Sequence, residues 1–290
     1  MAYSDEIIMT AAKWAEEEIQ QKLDADVLYF DSTIDFSIIT YFRDTIEQIG
    51  AHHERRSAIA IVLTSPGGYP VAVEKLVEIV RHHYKSVYFI VPVIAMSAGT
   101  IFCMSGDKIY MDYTSSLGPI DPQVPDRENR TLIPALGHID KIDEIVEKSR
   151  NGTITPVEYE WFLRQDFGII QNYRQAYNLS VALIEKWLVQ FKFKDWDSHR
   201  TTNPGARVTD DEKRARAKDI ARLLSDNAHW HSHGRMIGLQ TLRDVCRLEI
   251  DDFGLDPDLR NSIRRYSDTL TDVKSRRGFR ALIFSSLIRE

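Results

Sequence analysis

The chain is poor in cysteine: Cys103 and Cys246 are the only two in 290 residues. They lie far apart in apolar segments, which argues against a disulfide framework and a cysteine-ligated metal site. Two reduced, buried thiols point to a cytoplasmic protein. Nor is there any uninterrupted apolar run approaching the roughly twenty residues that a bilayer-spanning helix requires, so the reading is a soluble chain with no membrane span. Basic charge is not in excess. Lys and Arg total 37 against 43 Asp and Glu, a net charge of -6, which speaks against a nucleic-acid partner. No internal repeat or low-complexity tract is visible, and solenoid architectures are set aside. At the N-terminus, Ser4–Gln21 mixes Ile7, Ile8, Ala11 and Trp14 with Glu16, Glu17 and Glu18. That pattern is amphipathic rather than secretory.

What is present is the composition of a globular protein, with 43% hydrophobic and 28% charged residues. Val27–Phe30 reads as a first strand, and Phe36, Ile39, Phe42, Ile46 and Ile49 fall on one face of a following helix. Ile59–Leu63 is apolar on both faces, as a central parallel strand must be. A helix over Val71–His83, a strand over Val87–Val93, a helix over Met96–Ser105 and a strand over Lys108–Met111 complete a repeated β-α-β pattern. The fold class is therefore α/β, with a largely parallel sheet. Thr155-Pro156-Val157-Glu158 and Thr209-Asp210-Asp211-Glu212 are capping boxes, and the first opens helical sequence as far as Phe191. A mostly helical insertion over about 138–228 follows from these signals. We divide the chain into an N-terminal helix over 1–24, a main domain over 25–255, and a C-terminal helix or assembly arm over 256–290 carrying the apolar patch Ala281–Phe284.

The chemistry centres on Ile94-Ala95-Met96-Ser97-Ala98-Gly99-Thr100, where one serine sits between small residues as a strand gives way to a helix. A serine hydroxyl attacks a carbonyl only with a base to take its proton and donors for the oxyanion that forms. A second turn, Thr64-Ser65-Pro66-Gly67-Gly68, follows the preceding central strand. Its backbone N–H groups are candidates to face the same point. His229, His231 and His233 alternate, so an extended segment would place all three on one face. No further Cys or His spacing accompanies them, and we assign neither a metal nor an organic cofactor.

Four blocks resemble the serine peptidases of the Clp/crotonase fold, in particular the signal peptide peptidase A and serine dehydrogenase proteinase branch. They are Leu63–Gly68, Val91–Thr100, Leu117–Gln123 and His231–Arg235. The resemblance implies a Clp/crotonase-like fold, Ser97 as nucleophile, and an oxyanion hole from the amides of Gly67 and Gly68, with Ala98 contributing. The Clp subunits carry their histidine base on the strand after the nucleophile helix, but Tyr113–Leu117 holds none. The signal peptide peptidase branch resembles a Ser-Lys dyad instead, and Lys141 and Lys148 lie in the corresponding window. Such a lysine must be desolvated to act as a base; Lys141, among Leu136, Ile139 and Ile142, has the more apolar surroundings. His233 is the alternative base, and Asp121 either orients a base or caps a turn. Two departures from the family pattern stand out: Ala98 replaces a frequent glycine, and Arg247 occupies a position where relatives commonly have glycine.

The expectation is a soluble, cytoplasmic serine endopeptidase acting on polypeptide, with Ser97 and Lys141 as its dyad. The family likeness further implies a homo-oligomer. Two rivals stay open: an inactive oligomeric scaffold or binding module that has lost its base, and a crotonase-type acyl-CoA enzyme using the same oxyanion geometry.

Overall fold

Strands that are apolar on both faces need a helical layer on each side, and the chain supplies both. A computed structural model describes residues 3–53, 55–125, 132–199 and 203–288. Helix α1 (Tyr3–Leu23) leads into β1 (Asp26–Asp31), α2 (Ile38–Gly50), β2 (Ala58–Thr64), α3 (Pro70–His83) and β3 (Ser86–Ile90). The short strand β4 (Ile94–Ala95) precedes α4 (Ala98–Cys103), then β5 (Lys108–Met111) and β6 (Ser116–Leu117). A hairpin of β7 (Gln123–Pro125) and β8 (Leu132–Pro134) opens the helical insertion: α5 (Ala135–Arg150), α6 (Pro156–Leu163), α7 (Phe167–Trp187), α8 (Asp210–Ser225) and α9 (Asn227–Trp230). The chain returns through β9 (Ile237–Gly238), α10 (Leu239–Asp244), β10 (Asp251–Asp252), α11 (Pro257–Arg277) and β11 (Leu282–Phe284).

The main sheet runs β10-β5-β3-β2-β1-β11, and every pair is parallel except β1 with β11. Alternation along the strands sorts side chains between its two faces. Leu28, Phe30, Ile59, Ile61 and Leu63 meet Phe42 and Ile46 of α2, Leu76 of α3 and Phe102 of α4. Val27, Tyr29, Ala60 and Val62 face the other way, against Ala12, Ala15 and Ile19 of α1 and Ile263 and Tyr266 of α11. Burying each of Phe30, Phe42 and Phe102 contributes about 2–3 kcal/mol. Their rings pack edge to face at 6.0–6.3 Å.

The terminal segments set apart in the sequence share this core. Helix α1 lies against α11, and Ala281–Phe284 is not helical: Leu282–Phe284 forms the antiparallel edge strand β11, with Phe284 opposite Tyr29. Met1, Ala2, Arg289 and Glu290, at the ends of those segments, lie outside the described residues. Both capping boxes form, Thr155 with Glu158 and Thr209 with Glu212. The helical run beyond Thr155 is interrupted at Arg164–Asp166, where Asp166 caps α7, and ends in a π-helical turn over Leu188–Lys192. Arg81 and Lys194 both bind Asp107, which ties the middle of the insertion, just after the π-helical turn, to the start of β5.

Candidate active site

Beyond the main sheet a second, three-stranded sheet runs β4-β6-β9, with Ala95 beside Leu117 and Leu117 opposite Ile237. Because β6 is parallel to β4 and antiparallel to β9, one edge of this sheet collects the residues after Ala95, those after Leu117 and those before Ile237. Ser97, Asp121 and His233 issue from that common edge.

Ser97 stands between β4 and α4 with φ 49° and ψ -111°. A non-glycine residue in that region costs on the order of 1–3 kcal/mol and persists only where its surroundings hold it. The first turn of α4 supplies that hold. Thr100 Oγ1 accepts from the Gly118 N–H at 2.9 Å and donates to the Ala95 carbonyl at 2.8 Å, bolting the helix to both flanking strand ends. The Gly99 N–H closes the turn on the Met96 carbonyl at 2.7 Å.

The diglycine bend reaches the same place. Ser65 bridges to Ala95, accepting from the Met96 N–H at 2.9 Å and donating its own N–H to the Ile94 carbonyl at 3.1 Å. Gly67 (φ +116°) lies so near that a β-carbon on it would stand 3.0 Å from Ser97 Cβ and 3.6 Å from the Ala98 nitrogen. Gly68 (φ +147°) has no room either, since its β-carbon would fall 2.0 Å from the Ile34 carbonyl oxygen. Of the three amides expected at an oxyanion hole, that of Gly67 is already engaged: it donates to Ser65 Oγ at 3.1 Å. Among the described residues the Gly68 and Ala98 N–H groups make no hydrogen bond. The absence of a side chain on Gly67 is what lets the bend lie this close to Ser97.

The expected bases fall in different settings. Lys141 lies on α5 with its side chain 44% exposed; its ammonium binds Glu144 at 2.9 Å and stands 4.0 Å from Glu158. Lys148 binds the same two carboxylates at 2.7 and 2.6 Å, and those bonds hold it well above the usual lysine range. A base needs the reverse, a desolvated amine without acidic partners. The flanking Ile139 and Ile142 do turn inward, but they carry Lys141 on the opposite, solvated face of the helix. His233, by contrast, sets Nδ1 2.8 Å from Oδ1 of the wholly buried Asp121, whose other oxygen accepts from Gln123 Nε2 at 2.8 Å. The imidazole is half-buried, its side chain 26% exposed.

The three alternating histidines do not share a face. Asp226 caps the single turn of α9, which includes His229, and His231 ends that turn in the left-handed region at φ 62°. Only His233 reaches a carboxylate on the strand edge. Two supporting residues escaped the sequence reading, Ser65 and Thr100. Their signals were present: a serine two positions before a glycine in a Pro-Gly turn, which favours a side-chain bond to that amide, and a hydroxyl in the first turn of an otherwise apolar helix.

Parallel β-α-β units, a diglycine bend at one strand end and a serine elbow at the next define the Clp/crotonase-like α/β fold. Residues 44–148 match the family described as ClpP-like SDH-type serine proteinase, which bears out the resemblance seen in the four sequence blocks. Two uncharacterized proteins of Methanocaldococcus jannaschii, MJ0137 and MJ1495, are each 33% identical, over 88 and 66 residues, or 30% and 23% of this chain. The matches span 31% and 23% of the length of those relatives. Among solved structures, two mutants of the 1510-N membrane-bound stomatin-specific protease, one in complex with a substrate peptide, align with TM-score 0.45 and 15% identity. They cover 78% of this chain and 79% and 75% of theirs. The ClpP protease catalytic domain from Plasmodium falciparum aligns with TM-score 0.29 and 12% identity over 52% of this chain and 81% of that one. Among the described residues no helix is long and apolar enough to cross a membrane.

Proposed function

We propose that the chain is a serine endopeptidase that works through a Ser97-His233-Asp121 triad. The observation that carries this reading is the 2.8 Å bond from His233 Nδ1 to buried Asp121, formed on the strand edge from which Ser97 also issues. With Nδ1–H donating to Asp121, Nε2 is left as the acceptor for the Ser97 hydroxyl proton. Ser97 Oγ attacks the peptide carbonyl, the proton passes to His233, and the imidazolium returns it to the leaving amine. Water then repeats the sequence on the acyl-enzyme. The oxygen that becomes negative is received by the Gly68 and Ala98 amides, which are fixed by the diglycine bend and the start of α4. Such preorganised donors need no rearrangement as charge develops, and each is worth about 3 kcal/mol. The lysine dyad gives way to the histidine because Lys141 and Lys148 already hold carboxylates.

A fluorophosphonate probe tests the reading directly. Labelling of the wild-type protein that vanishes in Ser97→Ala, with unfolded casein cleaved only by the former, is the expected result. Equal casein cleavage by both proteins would remove Ser97 from the mechanism. An unlabelled, inert wild type would favour the scaffold reading.

Assembly of several copies fits the exposed apolar residues around the bend. Phe36 and Tyr69 stack at 5.7 Å, and Val71 and Val93 are also open to solvent. A monomer mass by light scattering at all concentrations would exclude assembly. The cytoplasmic assignment rests on the two buried, unpaired thiols, Cys103 and Cys246, and recovery of the native protein from an oxidising compartment would overturn it.

A further inference from the structure

We infer that the cavity between the π-helical turn and α8 is a binding site for a nucleotide-sized organic anion, a phosphate carrying a planar ring. The cavity encloses about 390 Å³, within the range of about 300–1,000 Å³ usual for small-molecule sites. None of its lining residues belongs to the site around Ser97. Its walls come in part from Lys192, two residues before the Lys194 that binds Asp107 at the start of β5, and from Arg247 and Glu249 just before β10. Those are the N-terminal ends of the parallel strands, whereas the diglycine bend follows the C-terminal end of β2. The site stands or falls independently of the peptidase reading.

Three cations converge on it, Lys192, Arg216 and Arg247. Among the described residues none of them forms an ion pair. Arg216 donates to the Cys246 carbonyl, and burial, with the like charge of Arg247, lowers its pKa. Two guanidiniums lining one cavity offer planar forks that match phosphate oxygens. Burial also pushes the Lys192 ammonium down to about 8. Carboxylates also stand in and near the wall: Glu212 is engaged with Thr209 and His199, Asp219 acts on Arg216, and Asp251, Glu249 and Asp107 act on Lys192.

Backbone irregularities concentrate here too. Lys192 ends the π-helical turn, a feature that recurs at functional sites. Arg247 is held at φ 46°, where glycine would be unstrained. The opposite wall is aromatic: Phe193, Trp196 and His199 follow edge to face at 5.5 and 5.8 Å. Cations at one end and half-buried rings at the other fit an anion bearing its own ring.

Calorimetric titration of the full chain with AMP and with inorganic phosphate tests the site. AMP binds saturably and phosphate more weakly. Arg247→Gly, which removes one cation and relieves the backbone, weakens AMP by about tenfold or more, the effect of one charge-assisted hydrogen bond, without lowering the thermal midpoint. Trp196→Ala reduces AMP affinity towards that of phosphate. Absence of saturable AMP binding at millimolar concentrations, or wild-type affinity in both Arg247→Gly and Arg216→Gln, overturns the site. Retention of wild-type AMP affinity in a folded Trp196→Ala protein overturns the ring-binding half.

Discussion

Glu16 and Asp121 are both wholly buried carboxylates, and they have opposite surroundings. Glu16 is enclosed by neutral donors: Gln20 at 3.1 Å, the Tyr266 hydroxyl at 2.9 Å, Ser285 Oγ at 3.0 Å, and the N–H and hydroxyl of Ser286 at 3.0 Å. It fastens α1 to α11 and to the chain beyond β11, and among the described residues no charge stands against it. Burial accordingly pushes its carboxyl up to about 7. Asp121 instead meets a half-exposed imidazole at a strand edge. Burial alone therefore does not mark a catalytic carboxylate. What separates the staple from the group proposed to work is a partner that reaches solvent, through which protons can be exchanged.

The sharpest way to break that contrast is at the working group. Asp121→Asn keeps the side-chain shape but no longer holds His233 in the tautomer that accepts from serine. Loss of kcat by about 10³–10⁴ is expected, with His233→Ala equally impaired. Casein turnover within a few-fold of wild type in both variants would reduce the Asp121–His233 pair to a structural contact.

Glu16 answers to pH rather than to turnover. Its folded pKa of about 7 lies above the ordinary 4.5, so the folded chain retains a proton that the unfolded chain releases between those values. The contribution of Glu16 is complete below about pH 4.5 and falls as pH rises to about 7, by about 3 kcal/mol in all. Urea unfolding across that interval should show the decline in wild type, and Glu16→Gln should flatten it while sparing peptidase activity. An unchanged slope in the variant would place the proton elsewhere.

The same division separates what was legible in the sequence from what was not. Strand β5 begins and ends where its apolar pattern does, both capping boxes form at their Thr-x-x-Glu motifs, and the diglycine bend meets Ser97. Each of these is written locally or in a tight block. The proposed catalytic partner is not: His233 and Asp121 are 112 residues apart, and their meeting depends on the antiparallel return of β9 along β6. Alternation of His229, His231 and His233 suggested a strand, but the cap at Asp226 imposes a helical turn first. Ala281–Phe284 was too short for periodicity to distinguish helix from strand, and its partner β1 lies at the other end of the chain.

Lys141 sharpens the comparison with the smallest expected effect. Its apolar neighbours made it the better lysine in the sequence, yet α5 turns Ile139 and Ile142 inward and leaves the ammonium with Glu144. Exposed ion pairs of this kind contribute about 0–1 kcal/mol, and a side chain so exposed lacks the desolvation a lysine base requires. Lys141→Ala should therefore leave casein turnover within about twofold of wild type, and the thermal midpoint nearly unmoved, because Lys148 still binds both Glu144 and Glu158. A collapse of turnover in a fully folded Lys141→Ala protein would require α5 to move against the strand edge on substrate binding. It would restore the lysine as base and leave the His233–Asp121 pair as a second buried staple.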